Sequence, residues 1–132
     1  MGVTHLLDTH VFLWLLGSPA RVAAHVRDRL ADPMNPMLVS AVSAMEVATK
    51  VRLGKLTSAR HLVDTWSERV ADLNAEELGL TTEQALLAGS LEWDHRDPFD
   101  RLLVAQGLPL NAVLVTDDAA FHGIPTLRVP RW

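Results

Sequence analysis

Five short apolar runs, separated by stretches of helical periodicity, restrict the fold of this chain more than any other feature. "VTHLL" (3–7), "PMLVS" (36–40), "EELGL" (76–80), "NAVLVT" (111–116) and "PTLRV" (125–129) read as buried strands, with 76–80 the weakest pattern. Helical patterns cover 10–16, 20–31, 41–53, 58–74, 82–91 and 98–106. In 41–53 the apolar positions Val42, Met45, Val47, Val51 and Leu53 form a face wide enough to pack on a sheet, and Gly54 supplies a C-terminal cap. Alternation of this kind predicts an α/β fold with a mainly parallel central sheet and helices on both faces. Such sheets bind their ligands outside the carboxyl ends of the strands.

No repeat or linker divides the 132 residues, so 1–132 is expected to be a single domain. A hydrophobic content of 48% with 21% charged residues fits a chain that folds around a core. Cysteine is absent, which excludes disulfides, thiolate zinc sites and cysteine nucleophiles. "HVFLWLLGSPARVAA" superficially resembles an export signal, yet no Lys or Arg precedes it and Asp8 sits at its edge. No apolar run approaches the ~20 residues of a membrane span. No membrane association is predicted, and a cytoplasmic location is expected. The net charge of −4 argues against coating nucleic acid through bulk electrostatics, although not against meeting RNA locally.

Acids recur where the strands end. The first strand runs into Asp8, and the second leads to Glu46 about one and a half turns into the next helix. "VTDD" ends the fourth with Asp117 and Asp118, and "HRDPFDRLL" opens the preceding helix with Asp97 and Asp100. Each acid has an ordinary structural alternative. Asp8 could cap 10–16, Glu46 could pair with Lys50 one turn on, and Asp117 could cap the turn before "AAFHG". Asp97 as cap, Pro98 at the first helical position and Asp100 at the third would make a standard helix start.

Four acids at one sheet edge are harder to explain structurally, because clustered carboxylates repel unless a cation or proton compensates. Only Lys50 and Lys55 are lysines, so none can neutralise the later acids, and Arg96 and Arg101 could do so partly. Oxygen ligands without cysteine suit a hard divalent ion, Mg²⁺ or Mn²⁺. Water polarised on such an ion attacks phosphodiesters near neutral pH.

"LLDTHVFLWLL", "VSAVSAMEVATKVRLGKL", "HRDPFDRLLVAQ" and "LVTDDAAF" occur in the order seen in PIN-domain proteins, and the chain resembles the VapC-type toxins of bacterial toxin–antitoxin pairs. The resemblance implies a three-layer α/β/α fold and a Mg²⁺- or Mn²⁺-dependent endoribonuclease. It also implies inhibition by a small antitoxin, and a homodimer. Residue by residue, it assigns the catalytic acids to Asp8, Glu46, Asp100 and Asp118, with Asp8, Asp100 and Asp118 toward the metal and Asp117 as the neighbouring alternative to Asp118. Asp97 is then the cap. Thr116 matches the hydroxyl residue of the last motif, where it would orient a carboxylate or a water on the substrate-binding side of the site. Met45 stands where close relatives often carry Trp, a packing difference.

Arg96 and Arg101 flank the acids and are the candidate phosphate contacts; replacing either by Ala should weaken RNA cleavage. His10, His95 and His122 are assigned ordinary structural roles, and Trp14 and Trp66 are placed in the core. A receiver domain fits poorly, lacking an acid pair after the first strand. A haloacid-dehalogenase-type phosphatase would need an Asp at position 10, which is His. The competing reading is a PIN-fold interaction module without nuclease activity.

Overall fold

The structure, a computed structural model, describes residues 2–132. Four strands, β1 (His5–Leu7), β2 (Met37–Ser40), β3 (Glu76–Leu78) and β4 (Val113–Val115), form one sheet in the order β3-β2-β1-β4. Every pairing is parallel, with His5 opposite Met37 and Val113, and Leu38 opposite Glu76. Side chains alternate across the pleat. Leu7, Met37, Val39, Val113 and Val115 face one layer, built by α1 (Thr9–Gly17), α2 (Ala24–Ala31), α4 (Arg60–Asp64) and α5 (Trp66–Asp72). Leu6 and Leu114 face the other, where Leu103 and Val104 of α7 (Pro98–Leu110) meet Phe121, and α6 (Thr82–Ser90) packs against α7. Between the layers, α3 (Ala41–Arg52) sends Val47 to the first and Val42 to the second. The fold is the expected three-layer α/β/α arrangement.

Four boundaries differ from the sequence pattern. The expected helix 58–74 breaks at Thr65, whose backbone (φ −127°, ψ 26°) leaves the helical region and whose hydroxyl donates to the His61 carbonyl at 2.9 Å. The break lets Leu62 and Val70 turn into the core independently. The expected helix 20–31 begins at Ala24, because the fully buried Val22 is extended (φ −92°, ψ 129°) behind a 3₁₀ turn at Pro19–Arg21. The last helix runs on to Leu110 through Pro109 and ends on Asn111 in the left-handed region (φ 48°). The expected fifth strand shrinks to one parallel bridge, Val113 to Arg128, with the Leu114 N–H donating to the Arg128 carbonyl at 2.9 Å. Pro125 and Pro130, which lack N–H groups, flank that segment and prevent a longer ladder.

The cap at Gly54 is as expected. It sits at φ 75° beyond α3, and the Lys55 N–H reaches back to the Lys50 carbonyl. Among the described residues no helix is long and apolar enough to cross a membrane.

Candidate active site

Strand order locates the site. From β1 the chain winds outward through β2 to β3, then returns to place β4 on the other side of β1. The carboxyl ends of β1 and β4 therefore form the switch point at which parallel sheets open a crevice. Asp8 follows β1 there and Thr116 follows β4.

Asp8 caps α1 with Oδ1, which accepts the Thr9 N–H at 2.7 Å, while Oδ2 accepts the Thr116 hydroxyl at 2.7 Å. Thr116 accepts in turn from the Asp118 N–H at 3.0 Å. Both Asp8 and Thr116 are buried, so the carboxylate has one fixed orientation. Thr116 thus orients a carboxylate, one of its two expected roles. The Thr9 hydroxyl donates to Ser43 at 2.8 Å and ties α1 to α3. Burial raises the Asp8 pKa; the Thr116 hydrogen bond opposes the shift and the Glu46 charge adds to it.

Glu46 is buried and bonded to Lys50 at 2.7 Å, the i,i+4 pair foreseen as its ordinary role. Asp97 accepts the Phe99 and Asp100 N–H groups at 2.8 and 3.2 Å and is the helix cap. Asp100 stands at the third helical position with Oδ2 2.6 Å from His95 Nε2. Burial pushes its pKa up to about 6; the His95 contact opposes the shift, and the charges of Asp97 and Asp8 reinforce it. Asp8 therefore lies within electrostatic reach of both Glu46 and Asp100. Asp118 is exposed and caps the 3₁₀ turn Ala119–Gly123 through the Ala120 N–H at 2.9 Å, with Asp117 exposed beside it. Among the described residues no three acids or histidines are gathered as a ready-made metal cage.

The raised Asp100 pKa has a measurable consequence in metal-free protein. Between its ordinary 3.8 and about 6 the folded state holds a proton that the unfolded chain releases, so stability falls as pH rises through that window. The cost is about 2 kcal/mol, after allowance for the residual exposure of the side chain. In EDTA, Asp100→Asn should be more stable than the parent by about that amount at pH 8 and equal to it below pH 4. A gain in urea midpoint of the same size at both pH values would reject this account.

The two candidate arginines separate. Arg96 is exposed beside an open cleft of about 520 Å³ that Trp93, Asp94, His95 and Arg101 also line. Arg101 instead spends its guanidinium on four backbone carbonyls: Nε on Ala88 (2.9 Å), Nη1 on Trp93 (2.8 Å) and His95 (3.0 Å), and Nη2 on Leu91 (2.6 Å). One N–H is left over, and the main work of Arg101 is to clamp the loop 91–97 against α7.

His95, given an ordinary structural role from the sequence, contacts Asp100 directly, a partner the sequence does not show. The only signal was its place two residues before the cap, where the chain folds back over the first turn of α7. Its ring stacks on Trp93 (centroids 4.6 Å, 30°), and Trp93 packs on Phe121 at 5.7 Å. A Cβ on Gly123 would lie 2.9 Å from Trp93 Nε1, so the indole sits where only glycine leaves room. Gly123→Ala should cost about 1–2 kcal/mol through this overlap; an unchanged melting temperature would mean that Trp93 shifts freely. Trp14 and Trp66 pack as expected, Trp66 at 5.0 Å from Phe12 and Trp14 under the Arg21 guanidinium at 4.6 Å. A separate cavity of about 680 Å³ opens at the amino ends of β2 and β3, away from these acids.

Compared with known families, the chain matches the PIN domain over residues 5–127. No curated protein matches it significantly. Among solved structures it is similar to a chain of VapBC2 from Rickettsia felis bound to a promoter DNA fragment, with 18% identity, 98% of both chains covered and a TM-score of 0.71. DNA-bound VapBC from Salmonella typhimurium follows, with 19% identity, 98% of both chains covered and a TM-score of 0.70. VapBC-5 from Mycobacterium tuberculosis gives 21% identity over 98% of this chain and 99% of that one, with a TM-score of 0.62. Identities this low speak to the fold, and the family match covers almost the whole chain. On that match, the chain belongs to the PIN domain family.

Proposed function

We propose that this protein is a metal-dependent endoribonuclease and the toxin of a VapBC-type toxin–antitoxin pair. The observation that carries the reading is the fixed Asp8 carboxylate. It is held by Thr116 across the switch point, with the charge of Glu46 bearing on it and its own charge bearing on Asp100. Asp8 and Asp100 are both raised chiefly by burial and secondarily by neighbouring acids, a cost that a cation would relieve.

The donor set fits a hard divalent ion, Mg²⁺ or Mn²⁺. Mg²⁺ keeps several waters and needs only one or two carboxylates, so the lack of a closed cage is no obstacle. Asp8 and Asp100 would hold it, with Asp118 and Glu46 around them. When bound, the ion supplies a polarised water and stabilises charge on a phosphoryl oxygen. The chain's own residues do the rest. Thr116 fixes the Asp8 carboxylate, Asp97 sets the start of α7 and hence the position of Asp100, and exposed Arg96 is the residue free to meet a phosphate.

The VapBC complexes among the structural neighbours support a small antitoxin as partner. A homodimer and action on RNA in the cytoplasm complete the proposal. One observation favours the competing reading of an inert interaction module: the Lys50 ammonium already neutralises Glu46.

Cleavage of total RNA by the purified protein, with Mg²⁺, with Mn²⁺ and with EDTA, separates the two. Metal-dependent cutting is the expected result. Folded, antitoxin-free protein that cuts under none of these conditions would favour the module.

A further inference from the structure

We propose that His95 is a positioning residue, which holds one oxygen of Asp100 so that the other faces the cation; this rests on the metal-dependent reading above. A carboxylate at the third position of a helix normally turns toward the unpaired N–H groups of the first turn. Here Asp97 has already taken the Phe99 and Asp100 N–H groups, so no backbone donor orients Asp100. Left alone, the side chain would move among rotamers at a place where burial already disfavours its charge. The His95 ring fills that gap, its Nε2–H donating to Oδ2 at 2.6 Å.

His95 can do this because it is itself held at two points. Its backbone carbonyl accepts from Arg101 Nη1 at 3.0 Å, and its ring lies against Trp93. Trp93 is fixed in turn by the Arg101 bond to its own carbonyl, by Phe121, and by the space left at Gly123. A continuous support therefore runs from the 3₁₀ turn after β4, through an indole and an imidazole, to a carboxylate on α7. It joins the two segments that carry Asp118 and Asp100. Outer-shell donors of this kind set the orientation of a ligand, and their loss typically lowers metal affinity by about 10–100-fold.

The test is Mn²⁺ binding to the full chain, measured by calorimetry and electron paramagnetic resonance at pH 8. His95→Ala should weaken Mn²⁺ binding by about 10-fold or more, with a melting temperature close to the parent's. His95→Gln, whose amide N–H can still donate, should recover most of the affinity. Equal Mn²⁺ affinity in the parent and His95→Ala would overturn the positioning role and leave the nuclease reading standing. Equal losses in both variants would also overturn it, because the donated N–H would then not matter. Absence of Mn²⁺ binding in the parent would remove both readings together.

Discussion

Asp8→Asn is expected to lower metal-dependent RNA cleavage by on the order of 10³-fold or more, with the protein still folded. The substitution removes the charge and reverses one hydrogen bond, leaving the Thr116 hydroxyl proton without its Asp8 acceptor. The new Oδ1 still accepts the Thr9 N–H that caps α1, and the amide can donate to the Thr116 oxygen, which has a second lone pair for the Asp118 N–H. Removing a buried negative charge next to Glu46 and Asp100 should leave metal-free stability unchanged or slightly higher. Cleavage rate and urea midpoint measured on the same preparation therefore distinguish chemistry from folding. Loss of cleavage with an unchanged midpoint supports the assignment; retained cleavage would move the chemistry away from this crevice.

Arg101→Ala should be the most damaging change outside the apolar core, at about 3–4 kcal/mol. A charged donor to a carbonyl contributes about 1.5–3 kcal/mol, and part of the loss of four such bonds is recovered when the freed carbonyls meet water. The loop 91–97 would detach from α7, taking Trp93 and His95 with it, so cleavage should fall as well. Arg101→Lys discriminates the cause. A lysine keeps the charge but cannot span carbonyls on Ala88, Leu91, Trp93 and His95, so most of the destabilisation should remain. A lysine variant as stable as the parent would show that charge, and not the planar fork, is what the loop needs.

The contrast between Arg96 and Arg101 shows where sequence reasoning reaches its limit. Both flank the same acid motif and have the same chemistry, so their neighbours in the chain cannot tell them apart. What separates them is the path of the chain before the helix, which turns one α6 carbonyl (Ala88) and three loop carbonyls around one guanidinium and leaves the other in solvent. The partner of His95 was hidden for the same reason: a histidine near a cap shows its contact with Asp100 only in the folded chain. The break at Thr65 was equally hidden. The apolar positions on either side suit a helix, and the interruption serves the packing of Leu62 and Val70 on different neighbours.

What this sequence determined by itself is what short-range physics can specify. Strand–helix alternation selects a parallel sheet, Asp97-Pro98 starts a helix, Gly54 ends one, and acids stand where strands stop. Tertiary structure alone decided that β4 lies beside β1, so that Thr116 reaches Asp8 across 108 residues of chain. It also decided that 125–129 contributes one bridge in place of a strand. Propensity and capping act over a few residues, whereas a hydrogen-bond partner is chosen by how the layers pack. The acids and Thr116 were therefore legible in order, and which group orients which acid only in space.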